Sequence, residues 1–215
     1  PSQAIGGIGA DPLGELAATG RLPQGLDGAL AEMGALASRL AGSHPLVRTV
    51  RVDTTAYVEA GASETQELAA MLATGATYLR ALAAAGLDVD AACSQIEVTL
   101  AADADVFTTI AKLRAARRVW SAMTAACGAS PAAQAPRLHV RTAERMMTRR
   151  DPWVNLLRVT AAAFAPVKGI STTVQCWWFL TVDDPAGRGP AQLLVATGDG
   201  LFRVDLPTFD EVPVR

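Results

Sequence analysis

The feature that most constrains this chain is a rhythm. An apolar strand, a polar loop and an amphipathic helix recur three times over about 120 residues. Residues 47–53 alternate Val47, Val50 and Val52 with polar neighbours; 96–100 and 138–142 repeat the pattern with Ile96, Val98 and Leu100, then Leu138 and Val140. After each strand the apolar period lengthens to that of a helix. Ser63, with Gln66 three residues on, makes a capping box for a helix reaching Ala85. Its apolar stripe is Leu68, Met71, Leu72, Tyr78 and Leu79. A short helix starts near Asp88, and a long one after Asp105 carries Phe107, Ile110, Leu113, Ala116, Val119, Trp120 and Met123. Asp151-Pro152 opens a third, running 153–164 with Val154, Leu157 and Ala161 in register. Repeated strand–helix units imply an α/β fold built on a parallel sheet. Function in such sheets sits in the loops after the strands, here 54–62, 101–105 and 143–150.

The flanks read differently. The Gly-rich residues 1–10 predict a disordered arm, and Gly6-Gly7-Ile8-Gly9 follows no strand, so it is no dinucleotide fingerprint. Residues 11–43 predict two helices, the first opened by Asp11-Pro12 and closed by Gly20, the second with Leu26, Leu30, Met33, Leu36 and Leu40 at helical spacing. Beyond Phe164 no helix separates the apolar run 176–182 from a hairpin pattern at 192–206, turning at Thr197-Gly198-Asp199-Gly200. Residues 166–215 therefore predict an antiparallel β-rich tail, in which Trp177-Trp178 serve as core or as an interface patch.

A net charge of -2 with 19% charged residues offers no basic surface for nucleic acid. No apolar run approaches the roughly 18 residues of a membrane span. The opening Pro1-Ser2-Gln3 lacks the marks of a secretion signal, and its missing methionine implies processing, a boundary or a fragment. Three widely spaced cysteines (Cys93, Cys127, Cys176) and two histidines (His44, His139) give no metal-site spacing and predict a reduced, cytoplasmic protein.

Three segments together resemble the catalytic-domain chains of the methylmalonyl-CoA mutase family. They are Glu59-Ala60-Gly61-Ala62 after the first strand; Ala111-Lys112-Leu113-Arg114-Ala115-Ala116-Arg117 between Phe107 and Trp120; and His139-Val140-Arg141-Thr142 followed by Asp151-Pro152-Trp153-Val154-Asn155 and Arg158. Asp11-Pro12-Leu13-Gly14 and Pro23-Gln24-Gly25 are similar to the small-subunit branch. The resemblance covers 11–165. It implies a partial (β/α) TIM-type barrel domain, adenosylcobalamin bound elsewhere in the complex, and a radical 1,2 shift between methylmalonyl-CoA and succinyl-CoA whose chemistry the cofactor carries.

The departures are chemical. A Tyr-His pair is expected just before the Glu-Ala-Gly-Ala stretch, where Thr55 and Ala56 stand; Ala56 has no donor to polarise a thioester carbonyl. Tyr57, next to it, is expected to point away on an extended segment. His139 and Thr142 match the family's His-x-Gln-Thr motif, but Arg141 replaces the Gln and Ala143-Glu144 replaces Ser-Gly, predicting a closed pocket. The cobalt-ligating Asp-x-His-x-x-Gly signature is absent, and the family pattern stops after Ala165, as truncation, frameshift or fusion would each produce. No catalytic residue and no metal ligand is expected. His139, Arg141, Thr142, Tyr57 and Glu59 are candidates to face substrate or cofactor. The resemblance implies a non-catalytic small subunit partnered in a heterodimer by a catalytic large subunit. Two alternatives stand beside it: a working acyl-CoA isomerase site using His139 and Arg141, and a truncated fragment without function.

Individual residues also have structural readings. Glu59 is expected to fix its own turn through backbone hydrogen bonds, and Asp103 and Asp105 to cap a helix. Arg141, Arg145, Arg149 and Arg150 read as salt bridges to Glu144, Asp151 or a partner, or as an anion site for a CoA phosphate.

Overall fold

Valine-rich alternation fixes the sheet. Four strands, β1 (Gly6–Ala10), β2 (Val47–Asp53), β3 (Ile96–Ala102) and β4 (Arg137–Thr142), lie in the order β1-β2-β3-β4 with every neighbouring pair parallel. This is a computed structural model describing residues 4–150 and 152–169 (backbone only at 152 and 166–169), and the backbone of 181–182, 192–197 and 200–205. Parallel neighbours need crossovers. Helices α1 (Pro12–Thr19) and α2 (Gly25–Ser43) join β1 to β2. The short α3 (Thr55–Glu59), α4 (Glu64–Ala84) and α5 (Val89–Gln95) join β2 to β3, and α6 (Val106–Ala126) joins β3 to β4, which α7 (Pro152–Gly169) follows. A sequential order without reversal is the arrangement of a barrel sector, since a doubly wound sheet reverses its order.

One face of the sheet is the core. Val50, Val52, Val98, Leu100, Leu138 and Val140 are buried there against Met33 and Ala37 of α2, Met71, Tyr78 and Leu82 of α4, and Leu113 and Trp120 of α6. The helices approach closely because of glycine: a Cβ on Gly75 of α4 would stand 2.6 Å from Trp120 Cζ3. Local signals agree with the packing. Asp11 caps α1 through Gly14 N (3.0 Å), and Gly20 ends it at φ 68°. The Ser63–Gln66 capping box opens α4. Among the described residues no helix is long and apolar enough to cross a membrane.

Several expectations are corrected. Residues 6–10 form strand β1 instead of lying in a disordered arm. Its glycines serve space: a Cβ on Gly7 would meet the Glu97 carboxylate at 3.2 Å, and one on Gly9 the Arg51 guanidinium at 3.1 Å. The loop 54–62 contains α3, so Tyr57 is helical and half-buried, not on an extended segment. Phe107, placed in the stripe of α6, is 84% exposed in its first turn, where the helix has not yet reached the core. In α7 the buried stripe is Val159, Ala162 and Ala165, while Leu157 is 71% exposed; the helix also runs on past Phe164 to Gly169. Asp151, Cys176, Trp177-Trp178 and the turn residues 198–199 lie outside the described residues. Short strands β5 (Thr181–Val182), β6 (Gln192–Thr197) and β7 (Gly200–Asp205) pair antiparallel in that order.

A buried ion pair binds the layers. Glu67 Oε2 of α4 accepts from Lys112 Nζ of α6 at 2.5 Å, both side chains almost wholly inaccessible. Glu67 Oε1 accepts from Ala101 N of β3 (2.8 Å) and from Thr54 Oγ1 after β2 (2.8 Å). Both carboxylate oxygens are thereby hydrogen-bonded, as burial of charge demands. Lys112→Met should leave the carboxylate buried and uncompensated, at a cost of about 3–5 kcal/mol. The double variant Glu67→Gln/Lys112→Met should recover most of that, because the amide oxygen keeps Thr54 and Ala101. Urea denaturation of the three proteins checks both.

Candidate functional site

The face of the sheet opposite the core is polar, and register explains it. In β2, β3 and β4 the residues between the buried valines and leucines fall side by side: Arg51 beside Glu97 beside Arg137, then Asp53 beside Thr99 beside His139. Arg141 comes next on β4, beside Ala101. A parallel sheet is ordinarily covered on both faces, so charge on this one marks it as the wall of a polar interior.

A cleft of about 540 Å³ opens on that wall. It is lined by Arg51, Asp53, Thr99, His139, Arg141, Thr142, Ala143, Glu144 and Met147. A second, of about 470 Å³, shares Arg51, Asp53 and Arg141 and extends to Asp11, Thr55 and Ala56. The structure thus brings His139, Arg141 and Thr142 together, with Ala56 next door. Tyr57 and Glu59 line neither cleft. Arg51, Asp53 and Thr99 were not anticipated, although their alternation with Val50, Val52 and Val98 carried the signal: charged residues at every second position of a strand face something other than the core.

The charges in the clefts are largely spoken for. Arg51 donates to Glu97 Oε1 from Nε and Nη2, each at 3.1 Å. Arg141 Nη2 pairs with Glu144 Oε1 at 2.6 Å, as the sequence suggested for this pair. His139 Nδ1 lies 3.4 Å from Thr99 Oγ1, while its Nε2 is buried without a hydrogen-bond partner. Burial holds the imidazole below its ordinary pKa; Glu97 opposes the shift and Arg51 reinforces it. At neutral pH the ring is neutral, able to donate from one nitrogen and accept at the other. In the neighbouring cleft Asp11 accepts from Asp53 N (2.9 Å), Gly14 N and the Tyr78 hydroxyl. Burial nevertheless raises its carboxyl above the usual range, and the Tyr78 phenol is raised by burial and by Asp11.

The loops above the clefts are tied by other residues. Glu59 accepts from Glu144 N and Arg145 N, each at 2.7 Å, so it fixes the loop after β4 and not, as expected, its own turn. Arg145 donates to Asp103 Oδ2 (3.1 Å) and to the carbonyls of Val58 (3.2 Å) and Ala62 (2.9 Å). Asp105 caps α6 through Thr108 N, whereas Asp103 serves Arg145 and Ala104 N.

Among the described residues no group of three His, Cys, Asp or Glu could hold an ion. His139 faces the carboxylates of Glu97 and Asp53 as well as the guanidinium groups of Arg51 and Arg141, and His44 caps the C-terminus of α2, at the other end of β2.

Comparison with known proteins agrees with this architecture. Residues 1–178 match the family described as methylmalonyl-CoA mutase. A "methylmalonyl-CoA mutase small subunit" of Streptomyces virginiae is 52% identical over 158 residues, 73% of this chain and 25% of the relative. A "probable methylmalonyl-CoA mutase small subunit" of Mycobacterium bovis is 43% identical over 167 residues, 78% and 26% of the two chains. A "methylmalonyl-CoA mutase large subunit" of Streptomyces virginiae is 38% identical over 112 residues, 52% and 15%. The chain spans about a quarter of the length of the small-subunit relatives it matches.

The lowered His139 pKa has a stability consequence. Between that pKa and the unfolded value of 6.5 the unfolded chain binds the extra proton, so stability falls as pH drops through this window. Asp11, with its raised pKa, contributes the opposite slope closer to the carboxylate range. His139→Gln should flatten the loss of stability below pH 6.5, measured as the difference in urea midpoint between wild type and variant across pH 7.5 to 5.

Proposed function

Because this chain belongs to the methylmalonyl-CoA mutase family, we propose that it is the barrel portion of a non-catalytic small subunit, which supports a catalytic large subunit in interconverting methylmalonyl-CoA and succinyl-CoA. The observation that carries this reading is Ala56. It stands where the family resemblance expects the histidine that polarises the thioester carbonyl, and it lines the cleft with a methyl group. A methyl group offers no hydrogen bond to a developing negative charge. The Arg141–Glu144 and Arg51–Glu97 pairs add to it: the arginines that line the clefts already have carboxylate partners.

On this reading adenosylcobalamin is held by another domain or chain and supplies the radical chemistry there, while this chain contributes packing. The setting on this reading is cytoplasmic. Within Streptomyces virginiae the greater identity to the small subunit (52% over 158 residues) than to the large subunit (38% over 112) supports the same assignment.

Co-expression with a catalytic large subunit should yield a one-to-one complex by native mass spectrometry. An aggregated free chain with no complex would sink the proposal. In the assembled complex, Ala56→His should leave mutase turnover within about twofold of wild type, since no acyl-CoA reaches that position; a large gain would place a working site here.

A further inference from the structure

Two neighbouring helices turn an apolar stripe to solvent. α7 packs beside α6. The outer face of α6 carries Phe107, Arg114 and Arg118. That of α7 carries Trp153, Leu156 and Leu157, at the i, i+3, i+4 spacing of one helix face, with Trp153 58% exposed. The stripe runs on through exposed Thr160 to Phe164, a length of about 16 Å. Charge is one-sided here as well. Residues 106–169 hold eleven Lys or Arg and two acids, in a chain whose net charge is -2. Arg114, Arg118, Arg149 and Arg150 are exposed among them. An apolar stripe with a cationic rim marks an interaction surface.

The same chain carries a surface of the opposite kind. In the sheet β5-β6-β7 the register sets Leu193 opposite Val204 and Val195 opposite Phe202, so these four share one face as an apolar block. The other face mixes Leu194, Ala196 and Leu201 with Gln192, Arg203 and Asp205. A small antiparallel sheet with one apolar face needs a layer against that face. Residues 170–215 hold six acids against three arginines, the reverse of the balance on α6 and α7. The six-residue strands β6 and β7 are about 20 Å long, close to the length of the α7 stripe. The link 170–180 reaches at most about 36–40 Å, more than the roughly 24 Å of helix from Gly169 back to Trp153.

We propose that this sheet folds back onto the outer face of α7, with its apolar face on Trp153, Leu156 and Leu157 and the acids of its flanks towards the arginine rim. α7 then becomes the middle of three layers, with the parallel sheet inside it and the antiparallel sheet outside. Docking of this kind is independent of the subunit role, and the full chain alone suffices to test it.

Amide hydrogen exchange on the full chain, read by peptide mass spectrometry, is the test. Amides of 192–197 and 200–205 should exchange at least about tenfold more slowly than unstructured chain. Leu157→Glu and Trp153→Glu each set a carboxylate under the apolar face and beside the acids of the tail. Both positions are exposed on the helix, so neither change disturbs the core. Each should speed exchange in the sheet by about tenfold or more, while helical circular dichroism and exchange across α2 and α4 stay unchanged. Leu157→Met, which keeps the apolar surface, should remain within about twofold of wild type. A wild-type sheet exchanging at the unstructured rate would overturn the proposal. A protected sheet that both Glu variants leave protected would overturn it too, since its support then lies elsewhere than on α7. Protection that appears only as the chain dimerises, followed by native mass spectrometry across a range of concentrations, would make a second copy the occupant and overturn it as well.

Discussion

Most of the structure hangs on the carboxylate of Glu67. It sits in the first turn of α4, at the seam where helix layer and sheet meet, and reaches α6 through Lys112, β3 through Ala101 N and the end of β2 through Thr54. Hydrophobic burial along Val50, Val98 and Leu100 gives the layers their attraction, but attraction of that kind is not directional. A buried charge with three partners is directional: the helices can slide or rotate only by abandoning it. Such a pair contributes little net stability against a well-packed apolar substitute. Its effect is to select one register of α4 and α6 over the strands, and that register sets the level at which the loops above β2, β3 and β4 begin.

From that level the character of the two sheet faces follows. Valine and leucine point to the helices, and arginine, aspartate, threonine and histidine point the other way. Along this wall Arg51 is paired with Glu97 and Arg141 with Glu144, while the Nε2 of His139 is buried without a hydrogen-bond partner. The arrangement retains the shape of a ligand-binding end while its charges answer each other.

Strands β2, β3 and β4, the capping box of α4 and the left-handed Gly20 were legible in the sequence because each rests on local chemistry. Strand β1 was not, because glycine carries no strand propensity and its pairing is imposed by β2. Phe107 and Leu157 misled because periodicity marks a face without saying which end of it is covered. His139, Arg141, Thr142 and Ala56 could be placed around one site because strand ends and motif order converge there. Tyr57 and Glu59 could not, since α3 turns them out of the clefts. The roles of Glu67, Lys112 and Arg145 depend on partners 13 to 87 residues away, and no local pattern announces a partner at such distances.

The glycines of β1 carry a consequence of their own. Gly7 and Gly9 leave empty the volume that Glu97, two strands away, and Arg51 occupy. The glycines of this strand and the Arg51–Glu97 pair are therefore mechanically coupled: a side chain added at Gly7 would stand 3.2 Å from the Glu97 carboxylate, so the pair would have to shift along the sheet to admit it.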